Sequence, residues 1–295
     1  MNQKGYALPV VMAISMIIVI MTLSIAFSTR QKIAMISELK DQGQARLKSY
    51  SALNEVLYNM LTSNFTPTGI KIYLPDGKWK IWNLYGEPIA LDDSVSVKLR
   101  DVAGMVSPVT QPGYLAALLS GTSASTAGIN SFLDKLADWQ DADDLKRLNG
   151  AEAWDYQAAG YSYTPRNFYI QTIDEIRLIK DFDDSLFDAV RGDIVYWGSD
   201  HVNYLTMSDK MLHVLLKNDK TVDALLKMRG DHVLTGDYFS ALTGIPRTEM
   251  VFPAPSGFIR IEVTARQNEA VDTIGVVVAK RETHTQPYMV LEWNR

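Results

Sequence analysis

Residues 4–30 read KGYALPVVMAISMIIVIMTLSIAFSTR and decide how the rest of the chain is placed. From Ala7 to Phe27 the stretch holds 21 residues without a charge, which is close to the ~20 that a helix needs to cross a bilayer. A cleavable signal peptide usually has an apolar run of only about 7–15 residues, followed by small residues before the cut. Because this run is longer and Ser24-Ile25-Ala26 is a poor cleavage site, the stretch predicts a membrane-spanning helix.

The helix is predicted to continue beyond the apolar run. No proline interrupts the chain between Val10 and Phe65. Apolar or small residues recur every three or four positions, as in an amphipathic helix: Ile36, Leu39, Gly43, Leu47, Tyr50, Leu53, Leu57 and Met60. One helix from about Ala7 to Thr62 would be roughly 80 Å long. Its first half is expected in lipid and its second half against a soluble domain.

Composition sets limits on the remainder of the chain. The 295 residues are 47% hydrophobic, which suffices for one large domain or two modest ones. The net charge of -5 does not indicate a phosphate-binding surface. The chain has no cysteine, so disulfides, thiolate nucleophiles and cysteine-ligated zinc are excluded. A chain of this length can bury a core without disulfides.

Strand patterns flank a long helical middle. Short β-like pieces follow the first helix, and a three-strand meander ends the chain; they span residues 70–74, 78–83, 95–100, 259–263, 273–280 and 288–293. Apolar stripes such as Ile129–Leu136 and Ile173–Ile179 predict helices between them. We therefore expect an α+β fold. A sheet built from residues 65–102 and 250–295 would carry residues 103–249 as an inserted α-helical domain.

The densest chemical feature is LADWQDADDLKRLNGAE, residues 136–152. Its carboxylates are Asp138, Asp141, Asp143, Asp144 and Glu152. Closely spaced oxygen ligands suit Ca²⁺, which takes about 6–8 of them in flexible geometry. Asp141, Asp143 and Glu152 fall at positions one, three and twelve of an EF-hand loop, but Leu145 and Lys146 stand where a ligand and a glycine are required. The segment is therefore either a calcium loop of another kind or a solvated acidic turn.

Enzyme signatures are missing from the sequence. The four histidines, His201, His213, His232 and His284, show no zinc spacing, and the chain has neither a G-x-S-x-G motif nor a P-loop. Ser199-Asp200-His201 holds the residue types of a triad, but consecutive residues cannot align nucleophile, base and orienter. We expect no enzyme. A metal-activated water at Glu152 keeps a metal-dependent hydrolase as an alternative.

Two parts of the sequence resemble a known family. A short basic leader ending in Lys4-Gly5, followed by a hydrophobic segment that merges into an amphipathic helix, resembles type IV prepilins and pseudopilins. The resemblance implies cleavage after Gly5 by prepilin peptidase and N-methylation of Tyr6. DWQDADD…NGAEAWDY, within residues 138–156, resembles the pattern of the type II secretion minor pseudopilin K (GspK) family. Weaker likenesses extend over most of residues 4–265.

This resemblance implies a pilin-like α/β core with a large α-helical insertion that binds calcium. The matching carboxylates are Asp141, Asp143 and Glu152, with Asp138 as a further candidate. Most members carry a glutamate where this chain has Val10. Because that glutamate is thought to neutralise the terminal amine of the subunit above, its loss suits a subunit with nothing above it.

The expected function is that of a structural subunit at the tip of the secretion pseudopilus, which supports protein export across the outer membrane. Expected partners are the I- and J-type minor pseudopilins, together with a secreted substrate or the outer-membrane secretin, and no nucleic acid. The chain would cross the inner membrane once and hold its C-terminal bulk in the periplasm of a Gram-negative bacterium. The alternatives are a minor pilin of a related type IV pilus and a signal-anchored periplasmic metal-dependent hydrolase.

Overall fold

The first helix runs unbroken for 56 residues. The computed structural model describes residues 7–196, 198–281 and 285–294; Gly5, Tyr6 and His284 lie outside the described residues. Helix α1 spans Ala7–Thr62, which confirms the predicted continuous helix. It contains an 18-residue window of mean hydropathy 2.7, none of it buried, so it is long and apolar enough to cross a membrane.

Within the described residues, eight strands form two antiparallel sheets. The first sheet has the order β1-β2-β3, with β1 Asn64–Thr66, β2 Gly69–Tyr73 and β3 Trp79–Asn83. The second has the order β4-β5-β6-β7-β8, with β4 Ile89–Asp92, β5 Val95–Asp101, β6 Phe258–Gln267, β7 Ala270–Lys280 and β8 Tyr288–Asn294. The C-terminal meander is as predicted. The pairing of β5 with β6, from Val95 with Ala265 to Asp101 with Ile259, joins distant parts of the chain.

The chain between β5 and β6 is helical. Its α-helices are α2 Pro112–Ser120, α3 Thr126–Gln140, α4 Ala153–Ala158, α5 Asp184–Val190, α6 Asp209–Leu216, α7 Asp219–Gly230 and α8 Gly236–Thr243. The stripe at Ile173, Ile176 and Ile179 forms a 3-10 helix over Ile173–Leu178 instead of an α-helix. Its spacing of three residues matches the three residues per turn of a 3-10 helix.

The structure has two main apolar cores, one between α1 and the sheets and one within the helical region. The C-terminal half of α1 packs on both sheets, with residues such as Val56, Trp82 and Ile261 in one core. The helical region has its own core around Phe132 and Tyr156. The long α1 and the two sheets therefore form one layered unit, and the helices form a second body joined to it at the ends of β5 and β6. These are the elements of an α+β, pilin-like fold.

The buried face of α1 differs from the one that the sequence predicted. The residues buried against the sheets are Ala45, Ser49, Ala52, Leu53, Val56, Leu57 and Met60. Ile36, Leu39 and Leu47 are more than half exposed. Small side chains at Ala45 and Ser49 let the helix lie close to the sheet, whereas Leu47 points about 200° round the helix from Ala45. The predicted stripe thus combined two different faces.

Asp101 closes the junction between the sheet and the helical region. Its carboxylate is 0% exposed. Oδ1 accepts hydrogen bonds from the Ala103 N–H at 3.1 Å, the Ser256 N–H at 2.8 Å and Ser256 Oγ at 2.6 Å. Oδ2 accepts from Asn203 Nδ2 at 3.1 Å and Thr206 Oγ1 at 2.9 Å. One side chain at the end of β5 therefore holds the residues that lead into and out of the helical region.

Replacing Asp101 by Asn should destabilise the fold severely. The amide nitrogen of Asn cannot accept a hydrogen bond, so buried donors lose their acceptor, at a cost of about 3–5 kcal/mol in the free energy of unfolding. Asp93→Asn makes the same chemical change at an exposed position and should stay within about 0.5 kcal/mol. Urea unfolding of the full chain in detergent, followed by circular dichroism, measures both. Equal effects of the two variants would contradict the role of Asp101.

Candidate functional site

The acidic segment forms the loop between α3 and α4. Helix α3 ends at Gln140, and α4 begins directly after Glu152. Trp139 anchors the last turn of α3 to the core. The centroid of its ring lies 5.8 Å from that of Tyr156 and 6.3 Å from that of Tyr163. Because this turn lies on the core, the loop that follows it must fold back across the end of α3, which brings its charged residues together.

Asp138 is the centre of the loop. It is 0% exposed and accepts a hydrogen bond from Arg147 Nη1 to Oδ1 at 2.6 Å and one from the Arg147 N–H to Oδ2 at 3.2 Å. The same guanidinium nitrogen also donates to Asp141 Oδ2. Hydrogen bonds to Asp141 and Asp138 raise the pKa of the Arg147 guanidinium. The arginine therefore stays charged and bridges two of the carboxylates.

The carboxylate of Glu152, in contrast, has no hydrogen-bond partner. It is 6% exposed, and both of its carboxylate oxygens, like Asp141 Oδ1, are buried without a hydrogen-bond partner. Burial, followed by the negative charges of Asp138, Asp141, Asp144 and Asp143, raises the pKa of Glu152 to about 7. Three buried carboxylate oxygens thus lack a donor. Such oxygens are costly to bury unless a proton or a cation satisfies them.

Gly150 is required by the close approach of Asp138. A Cβ atom on Gly150 would lie 1.8 Å from Asp138 Oδ2, so no larger residue fits unless the carboxylate moves. The preceding residue is held from the other side, because Asp134 Oδ2 accepts from both the N–H and Nδ2 of Asn149 at 3.1 Å. The Asn-Gly pair therefore fixes the path of the chain into Glu152.

The structure arranges the predicted ligands in two groups. Asp138, Asp141 and Glu152 line the inner side of the loop. Asp143 and Asp144 are exposed; Asp143 Oδ1 accepts from the Leu145 N–H at 2.8 Å, and Asp144 Oδ1 from Asn167 Nδ2 at 3.3 Å. Across the described part of the chain, no three or more His, Asp and Glu side chains are arranged to hold a metal ion.

The chemistry of the inner carboxylates, though not their present arrangement, suits a hard cation. Carboxylate oxygens are the ligands that Ca²⁺ prefers, and three of them are buried here without a donor. Sequence reasoning missed Arg147 and Gly150, which shape the site as much as the acids do. The signals were present: Arg147 is one of two cations within the acidic run, and Gly150 directly precedes Ala151-Glu152.

The serine, aspartate and histidine at 199–201 do not form a triad. His201 Nδ1 contacts Asp200 Oδ1 at 2.7 Å, and Nε2 contacts the Ala254 carbonyl oxygen at 2.8 Å. Ser199 Oγ donates to Asp200 at 3.3 Å rather than to the ring. With both ring nitrogens engaged, the imidazole ties this loop to residue 254 and is not placed to act as a base toward Ser199.

The raised pKa of Glu152 gives a testable pH dependence. Between its usual pKa of 4.5 and its folded pKa of about 7, the folded chain binds more protons than the unfolded chain, so stability falls as pH rises through this window. In the presence of a chelator, the free energy of unfolding of Glu152→Gln should fall by about 1–3 kcal/mol less over this window than that of wild type. Glu55→Gln, at an exposed position on α1, should show the same fall as wild type. Urea midpoints at pH 5 and pH 8 measure the slope; parallel slopes for wild type and Glu152→Gln would refute it.

Comparison with known proteins finds a family whose model matches the part of the chain that contains this loop. Residues 99–195 match the family model described as type II secretion system (T2SS), protein K. A comparison with curated proteins found no match. The fold is similar to a chain in the crystal structure of the GspK-GspI-GspJ complex from the enterotoxigenic Escherichia coli type 2 secretion system, with a TM-score of 0.52 and 15% identity over 90% of this chain and 98% of that one. Residues 99–195, a third of the chain that includes the acidic loop, are therefore similar to the protein K family of the type II secretion system.

Proposed function

We propose that this protein is a minor pseudopilin at the tip of the type II secretion pseudopilus, with a structural and non-enzymatic role in export across the outer membrane. One observation carries the proposal. Helix α1 is exposed from Ala7 to Lys40, while its C-terminal third is built into the core. A long apolar helix attached rigidly to a folded body is the form of a subunit that assembles through that helix.

The partner-binding surface is the second apolar face of α1. Ile36, Leu39 and Leu47 lie along one side of the helix and point away from the sheets. Gly43 lies on the same side, and a Cβ atom there would meet nothing within 4 Å. Apolar stripes of this kind bury themselves against a neighbouring helix. By analogy with the complex that the similar structure contains, the neighbours proposed here are the I- and J-type pseudopilins.

Two features support a position at the tip: the residue at position 10 and the size of the helical region. Val10 stands where a pairing glutamate is expected, so this subunit lacks the group that would neutralise a subunit above it. The helices between β5 and β6 add a large second body beside the sheet, which leaves little room for a further subunit there. This body is the proposed contact for the secreted substrate or the outer-membrane secretin.

The apolar run of α1 is consistent with a single-pass anchor. The proposed location is the inner membrane, with the folded bulk in the periplasm. Cleavage after Gly5 and methylation of Tyr6 would precede assembly. The family match over residues 99–195 favours a secretion pseudopilus over a related type IV pilus, and over a periplasmic hydrolase.

Calcium is the proposed structural cofactor of the acidic loop. Asp138, Asp141 and Glu152 would hold it, with Asp143 as a further ligand if the outer part of the loop closes. The support is the set of buried carboxylate oxygens without donors and the repulsion that raises the pKa of Glu152. A divalent cation removes that repulsion and so adds its binding free energy to folding.

Site-specific crosslinking tests the assembly surface. Because the chain has no native cysteine, a photoreactive maleimide attached to a single introduced cysteine reports on one position. Ile36→Cys should crosslink to an I- or J-type partner in membranes that hold the whole system. Glu38→Cys, which is equally exposed and about 200° round the helix, should give several-fold less adduct. Equal adduct from both positions, or none from Ile36→Cys, would contradict the proposed face.

A further inference from the structure

Arg147 lies where a bound cation would be expected in the acidic loop. We propose that its guanidinium is a built-in counter-ion, which holds Asp138 and Asp141 together in the absence of metal and which a divalent cation must displace in order to bind. This inference rests on the proposed calcium site. It concerns how the chain keeps that site folded and how tightly the site takes up metal.

The guanidinium of Arg147 engages carboxylate oxygens of two of the three proposed metal ligands. Arg147 Nη1 donates to Asp138 Oδ1 at 2.6 Å and also to Asp141 Oδ2. Those two oxygens are engaged, whereas Asp141 Oδ1 and both oxygens of Glu152 have no donor. One guanidinium therefore serves two of the three inner acids, and the third is left unsatisfied.

The charge balance is also incomplete. The three inner carboxylates carry three negative charges when ionised, against the single positive charge of Arg147. The other cation of the loop, Lys146, is engaged elsewhere, since its Nζ lies 2.7 Å from Asp155 Oδ1. A divalent ion would neutralise the site more completely than the arginine does, which provides the driving force for exchange.

The surroundings allow the arginine to leave. Its side chain is 41% exposed, in contrast to the fully buried Asp138 side chain that it contacts, so the guanidinium reaches the site from the solvent side. The neighbouring Leu145 and Leu148 are exposed, and core packing therefore does not hold this part of the loop. The backbone N–H of Arg147, which donates to Asp138 Oδ2 at 3.2 Å, remains available to that carboxylate when the side chain turns outward.

Calorimetric calcium titration of the full chain in detergent, after chelator treatment, tests the exchange. Arg147→Met should bind calcium about tenfold more tightly than wild type, because no internal cation has to be displaced. In chelator, its thermal midpoint should fall by about 5 °C, because Asp138 loses the charged side-chain donor and keeps only the backbone N–H of residue 147. Lys146→Met is the matched control: it removes the same charge from the adjacent residue but leaves the inner acids untouched, and its affinity should change less than threefold.

The outcomes distinguish a specific role of Arg147 from an effect of net charge and from the absence of a calcium site. Equal tightening in Arg147→Met and Lys146→Met would mean that net charge alone matters, and would overturn the role of Arg147. Weaker binding by Arg147→Met would show that the arginine supports the metal site rather than competing for it, which also overturns the proposal. If wild type binds calcium and Arg147→Met binds it no more tightly, this inference alone fails. If no variant takes up calcium, the calcium site fails with it, while assembly through α1 is unaffected.

Discussion

The buried carboxylate of Asp101 is the interaction on which the two bodies of this protein depend. It lies at the last residue of β5, immediately before the chain leaves the sheet, and it accepts from Ser256, just before the chain returns in β6. The pairing of β5 with β6 joins residues far apart in sequence, so its entropic cost must be offset locally. Five hydrogen bonds to one side chain give the junction a single geometry.

Further contacts extend this rigidity from the junction. The guanidinium of Arg100 is within 2.9 Å of Asp193 in the helical region. The buried Arg229 of α7 stacks over the ring of Tyr85, 4.0 Å from its centroid, on the side of the sheet. The helical body is therefore held to the sheet by charged and aromatic contacts as well as by the strand pair. Because the connection is rigid, the position of α1 in an assembly also fixes the position of the helical region.

The sequence predicted where the helices and strands lie better than it predicted which of their faces are buried. Hydrophobic runs and turns located α1, β2, β3, β5 and β8 within a residue or two, because period and chain breaks are local properties. They located β6 and β7 as well, but the hairpin between these strands extends three to four residues further than predicted on each side. The buried face of α1 was predicted only in part: Leu53, Leu57 and Met60 are buried as expected, but the face also depends on small residues such as Ala45 and Ser49, which a search for large apolar residues overlooks. The 3-10 helix at Ile173 was read as an α-helix, since a short stripe fits both periods.

The acidic loop shows the same limit at the level of a site. Its carboxylates were recognised from residue type and spacing, and the calcium that they suggest remains a prediction. Their division into an inner group and an outer group follows from the end of α3 and from the tight approach of Gly150 to Asp138, neither of which spacing reveals. The role of Arg147 is likewise a matter of three-dimensional contact, because a cation among acids in a sequence has many possible partners.

A subunit that assembles through α1 must first be processed as a pilin-type chain. The most direct test is the intact mass of the membrane-extracted protein, produced with and without a prepilin peptidase. We expect the loss of residues 1–5 and the gain of one methyl group at Tyr6, and only when the peptidase is present. A chain that keeps Met1 to Gly5 in the presence of an active peptidase would contradict this expectation.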